Sequence, residues 1–193
     1  TRDVLLARLA RIDSTGPLAQ ALVTARARAG LLVDVPSIDR SAEFLADPVQ
    51  LAKDLRREVA ALERNRNPYA NHAGDLWRSF RGANNIIIPY RIVESRAVAR
   101  SKSPVPVLFA FHGAGADENI FVDAYGAGIT ATMAQTNGVL LVSPATTPFG
   151  ASPGNFETLL AQLRTEFNVD TTRVYLLGHS MGEYAAACIA GVM

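Results

Sequence analysis

VYLLGHSMG, residues 174–182, joins a predicted strand to a predicted helix. Four apolar or aromatic residues run directly into Gly-His-Ser-Met-Gly, and an alanine-rich helical stretch follows at once. A serine held at so sharp a turn projects its hydroxyl from the carboxyl end of a parallel sheet. Gly178 and Gly182 fit this interpretation because the turn brings the strand and helix backbones too close together for larger side chains. The segment therefore predicts a parallel sheet that presents Ser180 at one end.

The sequence before this segment alternates buried strands with helices from residue 104 onward. Residues 105–111 and 139–142 are nearly all apolar, as in strands that are covered on both faces. A helical pattern lies at about 121–136, and an amphipathic one with apolar residues at helical spacing lies at 156–167. This order implies parallel strands joined by right-handed crossovers. We therefore predict an α/β fold with a doubly wound, mainly parallel sheet.

A hairpin is predicted just before this sheet. Residues 77–81 and 86–93 read as two strands, with Gly-Ala-Asn-Asn as the turn between them. Pro89 within the second strand indicates an edge position, because proline cannot donate a ladder hydrogen bond.

The first 66 residues form a predicted helical N-terminal region without recognisable chemistry. Its clearest helix has Asp47 as a cap, Pro48 in the first turn and an apolar stripe at helical spacing. Such short stripes need a partner, which favours a docked scaffold or cap over a separate binding module. We therefore predict two domains: the helical region at residues 1–66, and the N-terminal part of the sheet domain at residues 67–193.

Composition excludes several classes of function. The 193 residues are 49% hydrophobic and 19% charged, with a net charge of +1, as in an ordinary soluble globular protein. Basic residues are not clustered with aromatic ones, so no nucleic-acid partner is expected. No apolar run reaches the roughly 18 residues of a membrane span. The sequence has one cysteine, three histidines without metal-ligand spacing and no phosphate-binding glycine loop, so neither a metal nor another cofactor is expected.

The chain opens at Thr1 and lacks a charged-then-apolar leader. Either a leader has been removed, as in a secreted or periplasmic protein, or the sequence starts inside a longer protein. The compartment of this soluble protein therefore stays open.

A second motif, His112-Gly113-Ala114-Gly115, directly follows the strand at residues 105–111. Both motifs thus stand at carboxyl ends of strands, where ligands bind in such sheets. Acyl transfer needs a nucleophilic hydroxyl and donors aimed at the oxyanion of a tetrahedral intermediate. Small residues in the second motif leave backbone N–H groups accessible, and the N–H of Met181 can supply another donor.

Three segments carry a resemblance: PVLFAFHGAGADEN, VLLVSP and VDTTRVYLLGHSMG. They resemble the α/β-hydrolase superfamily, particularly bacterial esterases similar to polyhydroxybutyrate depolymerases, feruloyl esterases and prolyl oligopeptidase-like hydrolases. The resemblance covers about residues 75–193. It implies a serine hydrolase that cleaves small or polymeric carboxylic esters through an acyl-enzyme.

The resemblance also implies roles for single residues. Ser180 would be the nucleophile at a nucleophile elbow. Met181 with Ala114, or with one of its neighbours Gly113 and Gly115, would form the oxyanion hole. Other residues match motif positions that support the geometry of the two loops: His112, Gly115, Gly178, His179 and Gly182.

The chain departs from the family pattern after the serine. In this family the acid and then the histidine base follow later strands, whereas the sequence ends in the first helix after Ser180. The resemblance therefore implies a C-terminally truncated hydrolase, with general base and acid C-terminal to Met193. The serine strand would then have an unpaired outer edge, which invites association. Four acidic residues of the chain do not match the family's acid position: Asp117, Glu118, Asp123 and Asp170.

Two alternatives stay open. The segment GHSMGEYAAACIAG, with Glu183 where hydrolases usually have a small residue, resembles the serine loop of malonyl-CoA acyltransferases. Ser180 would then carry an acyl group for transfer, although the Gly-Gln-Gly loop of those enzymes is missing from the sequence. The other alternative is a non-catalytic, truncated hydrolase fold used for binding.

Overall fold

The computed structural model describes residues 2–32 and 47–192. Among them the strands are β1 (Gly74–Arg81), β2 (Ile87–Glu94), β3 (Val105–Phe111), β4 (Leu140–Pro144) and β5 (Val169–Gly178). The helices are α1 (Arg2–Leu9), α2 (Ala19–Gly30), α3 (Pro48–Leu62), α4 (Arg96–Ala99), α5 (Ile120–Asp123), α6 (Ile129–Thr136), α7 (Thr146–Phe149), α8 (Pro153–Glu166) and α9 (Met181–Ala190).

The strands form one mixed sheet in the order β1-β2-β4-β3-β5. The three apolar strands β3, β4 and β5 run parallel, and their carboxyl ends meet at one edge. The predicted hairpin, β1 and β2, joins antiparallel to β4. The prediction of an α/β fold is confirmed. Two of the four strand pairs are antiparallel, because the hairpin belongs to the same sheet as the parallel strands.

Helices cover both faces of the sheet, as expected for a doubly wound arrangement. Alternate residues of β3 explain why: Phe109 packs with α8 and α9 on one face, whereas Ala110 packs with α5 and α6 on the other. The larger cluster includes Phe80, Tyr90, Phe111, Val142, Phe156, Leu159, Leu163 and Ile189. Each of the described helices is too short or too polar to cross a bilayer.

The single helix predicted at 121–136 is wrong, because the chain breaks between α5 and α6. Residues Tyr125–Gly128 form a 3₁₀ turn in which Gly126, Ala127 and Gly128 have φ angles of 59°, 54° and 74°. Left-handed conformations of this kind end a right-handed helix. Gly126 and Gly128 are the residues of the sequence that could have indicated this break in the helix.

Pro89 does not mark an edge strand, so that prediction is also wrong. β2 lies between β1 and β4, and Pro89 pairs with Ser79 of β1. Its carbonyl accepts from the Ala145 N–H at 2.9 Å, on the side of β4 and just past the strand's end at Pro144. The N–H that proline lacks would therefore point beyond the β4 ladder, so no strand hydrogen bond is lost.

The N-terminal helices pack against the outer strand of the hairpin. α1, α2 and α3 share a cluster of buried leucine, valine and alanine side chains that also includes Tyr69 and Trp77. Asp47 caps α3 as predicted, accepting the Gln50 N–H at 2.8 Å. α2 lies against β1, and the Thr24 hydroxyl donates to the Ser79 carbonyl at 2.8 Å. Side chains of α2 thus form hydrogen bonds with backbone groups of β1 that would otherwise be unpaired at the edge of the sheet.

Candidate active site

Ser180 lies immediately beyond β5, in a turn formed by residues 178–182 that we call the elbow. Its φ of 54° and ψ of −117° lie in a region that non-glycine residues rarely adopt. Two hydrogen bonds close the turn, from the Gly182 N–H to the His179 carbonyl and from the Glu183 N–H to the Ser180 carbonyl, both at 2.9 Å. The serine side chain is exposed at the carboxyl edge of the parallel strands.

The elbow glycines are required by close backbone contacts. A Cβ on Gly178 would lie 2.4 Å from the Glu183 Cα, and a Cβ on Gly182 would lie 2.0 Å from the Phe111 carbonyl oxygen. Real Cβ atoms do not approach other atoms so closely. Strand β3, strand β5 and helix α9 therefore meet at a distance that only glycine permits.

The loop that follows β3 meets the elbow. We call residues 112–119 the HGAG loop. A Cβ on Gly113 would lie 3.2 Å from the Ser180 Cβ and 2.9 Å from the His179 Nδ1, so the two motifs are in contact. Ala114 directly follows Gly113 in the chain, and Met181 directly follows Ser180. Both residues are therefore next to this contact. Gly115 has a φ of 76°, which lets the chain turn away at the exposed tip of the loop, residues 114 and 115.

His112 holds the base of the HGAG loop. The ring is buried, its Nε2 accepts from the Thr146 N–H at 2.8 Å, and its Nδ1 lies 2.8 Å from the Gly113 carbonyl. A nitrogen that accepts carries no proton, so we assign the proton to Nδ1, which donates to that carbonyl. Nε2 thus joins the loop to α7, while Nδ1 is engaged within the loop itself.

His179 lies on the other side of Gly113 and is exposed. Its Nδ1 lies 2.9 Å from the Tyr125 hydroxyl, and the two rings meet edge to face at 5.3 Å between centroids. A phenol is the better donor and a neutral imidazole the better acceptor, so we assign the hydrogen bond as Tyr125 to His179. Tyr125 stands in the 3₁₀ turn after α5 and therefore ties that turn to the elbow.

A general base for Ser180 is not assembled among the described residues. No hydrogen bond there joins the serine hydroxyl to a histidine. His72 lies beside Glu94 at the end of β2. Because β2 runs antiparallel to β4, this pair is at the opposite end of the sheet from Ser180.

The acidic residues near the motifs have structural partners. Asp117 accepts the Asn119 N–H at 2.9 Å, Glu118 accepts from the Trp77 indole, and Asp123 pairs with Arg91 at 3.0 Å. Asp170 closes the turn at the start of β5. Hydrogen bonds from Thr172 and Arg173 lower the pKa of its carboxyl to about 2.

Sequence reasoning missed three residues that support the site: Tyr125, Trp77 and Arg91. Arg91 had a usable signal, because a charged residue in the middle of an apolar strand is usually buried and paired. The other two had none, since their partners lie 54 and 41 residues away. Within the described ranges, no group of three His, Cys, Asp or Glu side chains could hold a metal ion.

Comparison with known proteins gives matches among solved structures alone. No protein-family model matches the sequence. A comparison with curated proteins also gives no match.

An S-formylglutathione hydrolase from Agrobacterium tumefaciens has a TM-score of 0.50 and 19% identity over 60% of this chain and 52% of its own. The enzyme of that name from Staphylococcus aureus has a TM-score of 0.46 and 14% identity over 58% of this chain and 50% of its own. A feruloyl esterase module from Clostridium thermocellum has a TM-score of 0.45 and 14% identity over 61% of this chain and 48% of its own.

The chain thus spans about half the length of each of these proteins. At such low identity the likeness concerns the fold alone. The chain has the α/β-hydrolase fold that its sequence predicted.

Proposed function

We propose that this chain carries the nucleophile and the oxyanion donors of a serine hydrolase that cleaves carboxylic esters. One observation supports this most: Ser180 is held at a φ of 54° beyond a parallel strand, against the backbone of Gly113. A fold retains such backbone strain only where surrounding contacts enforce it, and such strain concentrates at functional sites. No structural need of the turn requires a hydroxyl at this position.

The reaction follows from these groups. The Ser180 oxygen bonds to the ester carbonyl carbon while its proton passes to a general base. The N–H groups of Met181 and Ala114 would stabilise the oxyanion, each donor contributing about 3 kcal/mol to the transition state. The bond to the alcohol oxygen then breaks, and the base returns its proton to that oxygen. Water repeats the sequence on the acyl-enzyme, releasing the acid and restoring Ser180.

The base and its orienting acid are proposed to come from residues C-terminal to Met193. The contacts of the three described histidines support this. His112 uses both ring nitrogens, His72 lies at the far end of the sheet, and His179 contacts Tyr125 and makes no hydrogen bond to the serine hydroxyl. Without a base, the serine hydroxyl is a weak nucleophile at neutral pH. Ser180 should therefore react slowly in this chain and fast in a form that extends past residue 193.

A fluorophosphonate probe tests the proposal, because it labels only an activated serine. Both forms would be incubated with the probe, with Ser180→Ala as the matched control, and labelling would be followed by mass spectrometry. Labelling of Ser180 that is confined to, or much faster in, the extended form supports the hydrolase proposal. Absence of labelling in both forms contradicts it and favours the non-catalytic alternative.

The acyltransferase alternative has its own signature in the extended form. An acyl-CoA should then load Ser180 to a stable acyl-enzyme, while a p-nitrophenyl ester should not turn over. Turnover of the p-nitrophenyl ester without loading from acyl-CoA supports hydrolysis.

A further inference from the structure

The second half of the HGAG loop is anchored from outside the parallel strands. Glu118 and Asn119 are polar, yet they are only 8% and 2% exposed. Their partners come from the hairpin, which precedes the loop in the chain and belongs to neither motif. The carboxylate of Glu118 accepts from the indole N–H of Trp77 in β1.

Trp77 connects the loop to the N-terminal helices. Its ring packs in the buried cluster of α1, α2 and α3, and its carbonyl accepts from Arg28 of α2 at 3.0 Å. Arg28 is held in turn by Glu58 of α3, at 3.1 Å. Trp77 therefore contacts the helical region through its backbone and its ring, and the HGAG loop through its indole N–H.

Arg91 makes the second anchor, from the middle of β2. Its guanidinium donates to the Asn119 side-chain oxygen at 2.7 Å and to Asp123 of α5 at 3.0 Å. Its Nε also donates to Asp75 of β1 at 2.9 Å. Arg91 is 3% exposed. A buried guanidinium fixed by several acceptors holds them in one planar geometry.

We propose that Trp77 and Arg91 are positioning residues for the HGAG loop, through which the hairpin and the N-terminal helices set the place of the Ala114 N–H relative to Ser180. This inference rests on the proposed function, since it assigns the loop a donor role. The N-terminal helices, which lie outside the five-stranded sheet, would then help to position a group that takes part in the reaction. The anchored residues stand four and five positions after Ala114, and a misplacement of about 1 Å can cost up to about 100-fold in rate.

The test compares two substitutions at Glu118 that differ in one property. Glu118→Gln keeps a side-chain oxygen that can accept the Trp77 N–H, whereas Glu118→Leu has a similar size and no acceptor. Amide resonances of Gly113, Ala114 and Gly115 in ¹H–¹⁵N spectra would report loop position in this chain. Fluorophosphonate labelling of the extended form would report the reaction.

We expect Glu118→Leu to shift the three amide resonances and to slow labelling about 10-fold, while Glu118→Gln stays within about twofold of the wild type. Trp77→Phe removes the donor while keeping an aromatic ring, and it should reproduce the effect of Glu118→Leu. This second variant keeps the test decisive if Glu118→Leu does not fold. Leu163→Ala is the control, because it destabilises the other buried cluster, which includes neither Trp77 nor the N-terminal helices.

The inference is overturned if Glu118→Leu or Trp77→Phe leaves the loop amides in place, or if Leu163→Ala shifts them equally. A purely structural role would lower stability without moving the loop. If no form labels at all, the proposed function fails, yet the amide resonances still decide whether the hairpin positions the loop.

Discussion

Ser180 is held in its strained conformation by two glycines, each of which makes room for a different neighbour. Gly178 lies against the start of α9, and Gly182 lies against the end of β3. The strain at one residue is thus offset by packing of three elements around it. Substituting either glycine should therefore separate elements instead of merely relaxing a turn.

Gly182→Ala should destabilise the protein by about 3 kcal/mol, because its Cβ would meet a backbone oxygen that cannot rotate away. The free energy of unfolding in urea measures this. Gly191→Ala, at the end of the same helix, is the matched control. Its Cβ would meet the Ala187 carbonyl oxygen at an ordinary 3.4 Å, so it should change stability by less than about 1 kcal/mol. Equal effects of the two substitutions would contradict the close-contact argument.

The two motif histidines should carry their protons on opposite nitrogens. His112 accepts through Nε2 and is expected as the Nδ1–H tautomer, whereas His179 accepts through Nδ1 and is expected as the Nε2–H tautomer. Long-range ¹H–¹⁵N spectra of the rings at pH 8 distinguish these forms. Tyr125→Phe should change the His179 ring signals and leave those of His112 unchanged. The same tautomer in both rings would refute the assignment.

Glu94 should make stability depend on pH. Burial raises the pKa of its carboxyl above the ordinary 4.5, an effect that His72 and Arg78 offset in part and Asp75 increases. The folded state therefore binds more protons than the unfolded chain just above pH 4.5, so Glu94 costs stability progressively as pH rises through its folded pKa.

We expect Glu94→Gln to raise the free energy of unfolding by about 1 kcal/mol at pH 7 and to have little effect at pH 4. Urea titrations at the two pH values measure this difference. Asp170→Asn is the opposite control. The lowered pKa of Asp170 means that its carboxylate stabilises the folded state above its ordinary pKa, so this substitution should lower stability at pH 7. A gain for Glu94→Gln that is the same at both pH values would contradict the burial argument.

At the scale of elements, helix α2 closes the outer edge of β1 with side chains where another strand would use backbone. Thr24 both donates to the Ser79 carbonyl and accepts from its N–H, at 2.8 and 3.3 Å, and Arg28 donates to the Trp77 carbonyl. These groups belong to alternate residues of β1, the ones that face away from β2. The helical region therefore protects an edge that would otherwise be open to another strand.

Thr24→Val should cost about 1 to 2 kcal/mol, since it keeps the shape of the side chain and leaves buried backbone groups of Ser79 without partners. Thr24→Ser is the control, because it keeps the hydroxyl and removes only a methyl group. Unfolding in urea, with hydrogen exchange of the Ser79 amide as a local probe, tests both. If Ser costs more than Val, packing and not the hydrogen bond determines the effect.

Elements with local causes could be predicted from the sequence. The apolar runs at 105–111 and 139–142 indicate strands that are covered on both faces. The spacing of Gly178 and Gly182 around Ser180 indicates the elbow. The anchors of the HGAG loop could not be predicted. Trp77 and Glu118 are 41 residues apart, and nothing in either neighbourhood specifies the other. The same limit explains Pro89, whose tolerance depends on where a distant strand ends.

At the scale of the whole molecule, the sheet is protected at one edge and open at the other. α2 covers β1, whereas β5 pairs with β3 alone among the described residues. Alternate β5 side chains are partly buried against the core, and the others, Tyr175 and Leu177, remain 53% and 38% exposed. The β5 edge thus combines unpaired strand backbone with exposed apolar side chains.

An exposed strand edge with apolar side chains favours pairing with another copy. We expect the described chain to associate, with a weight-average mass that rises between about 1 and 100 μM in sedimentation equilibrium. Leu177→Lys should reduce association, because pairing of two copies through β5 would bring their lysines together or remove them from water. Val49→Lys, at a 77% exposed position on α3, is the matched control and should leave association unchanged. A mass that stays monomeric throughout, or an equal effect of both lysines, would show that the β5 edge is not the contact.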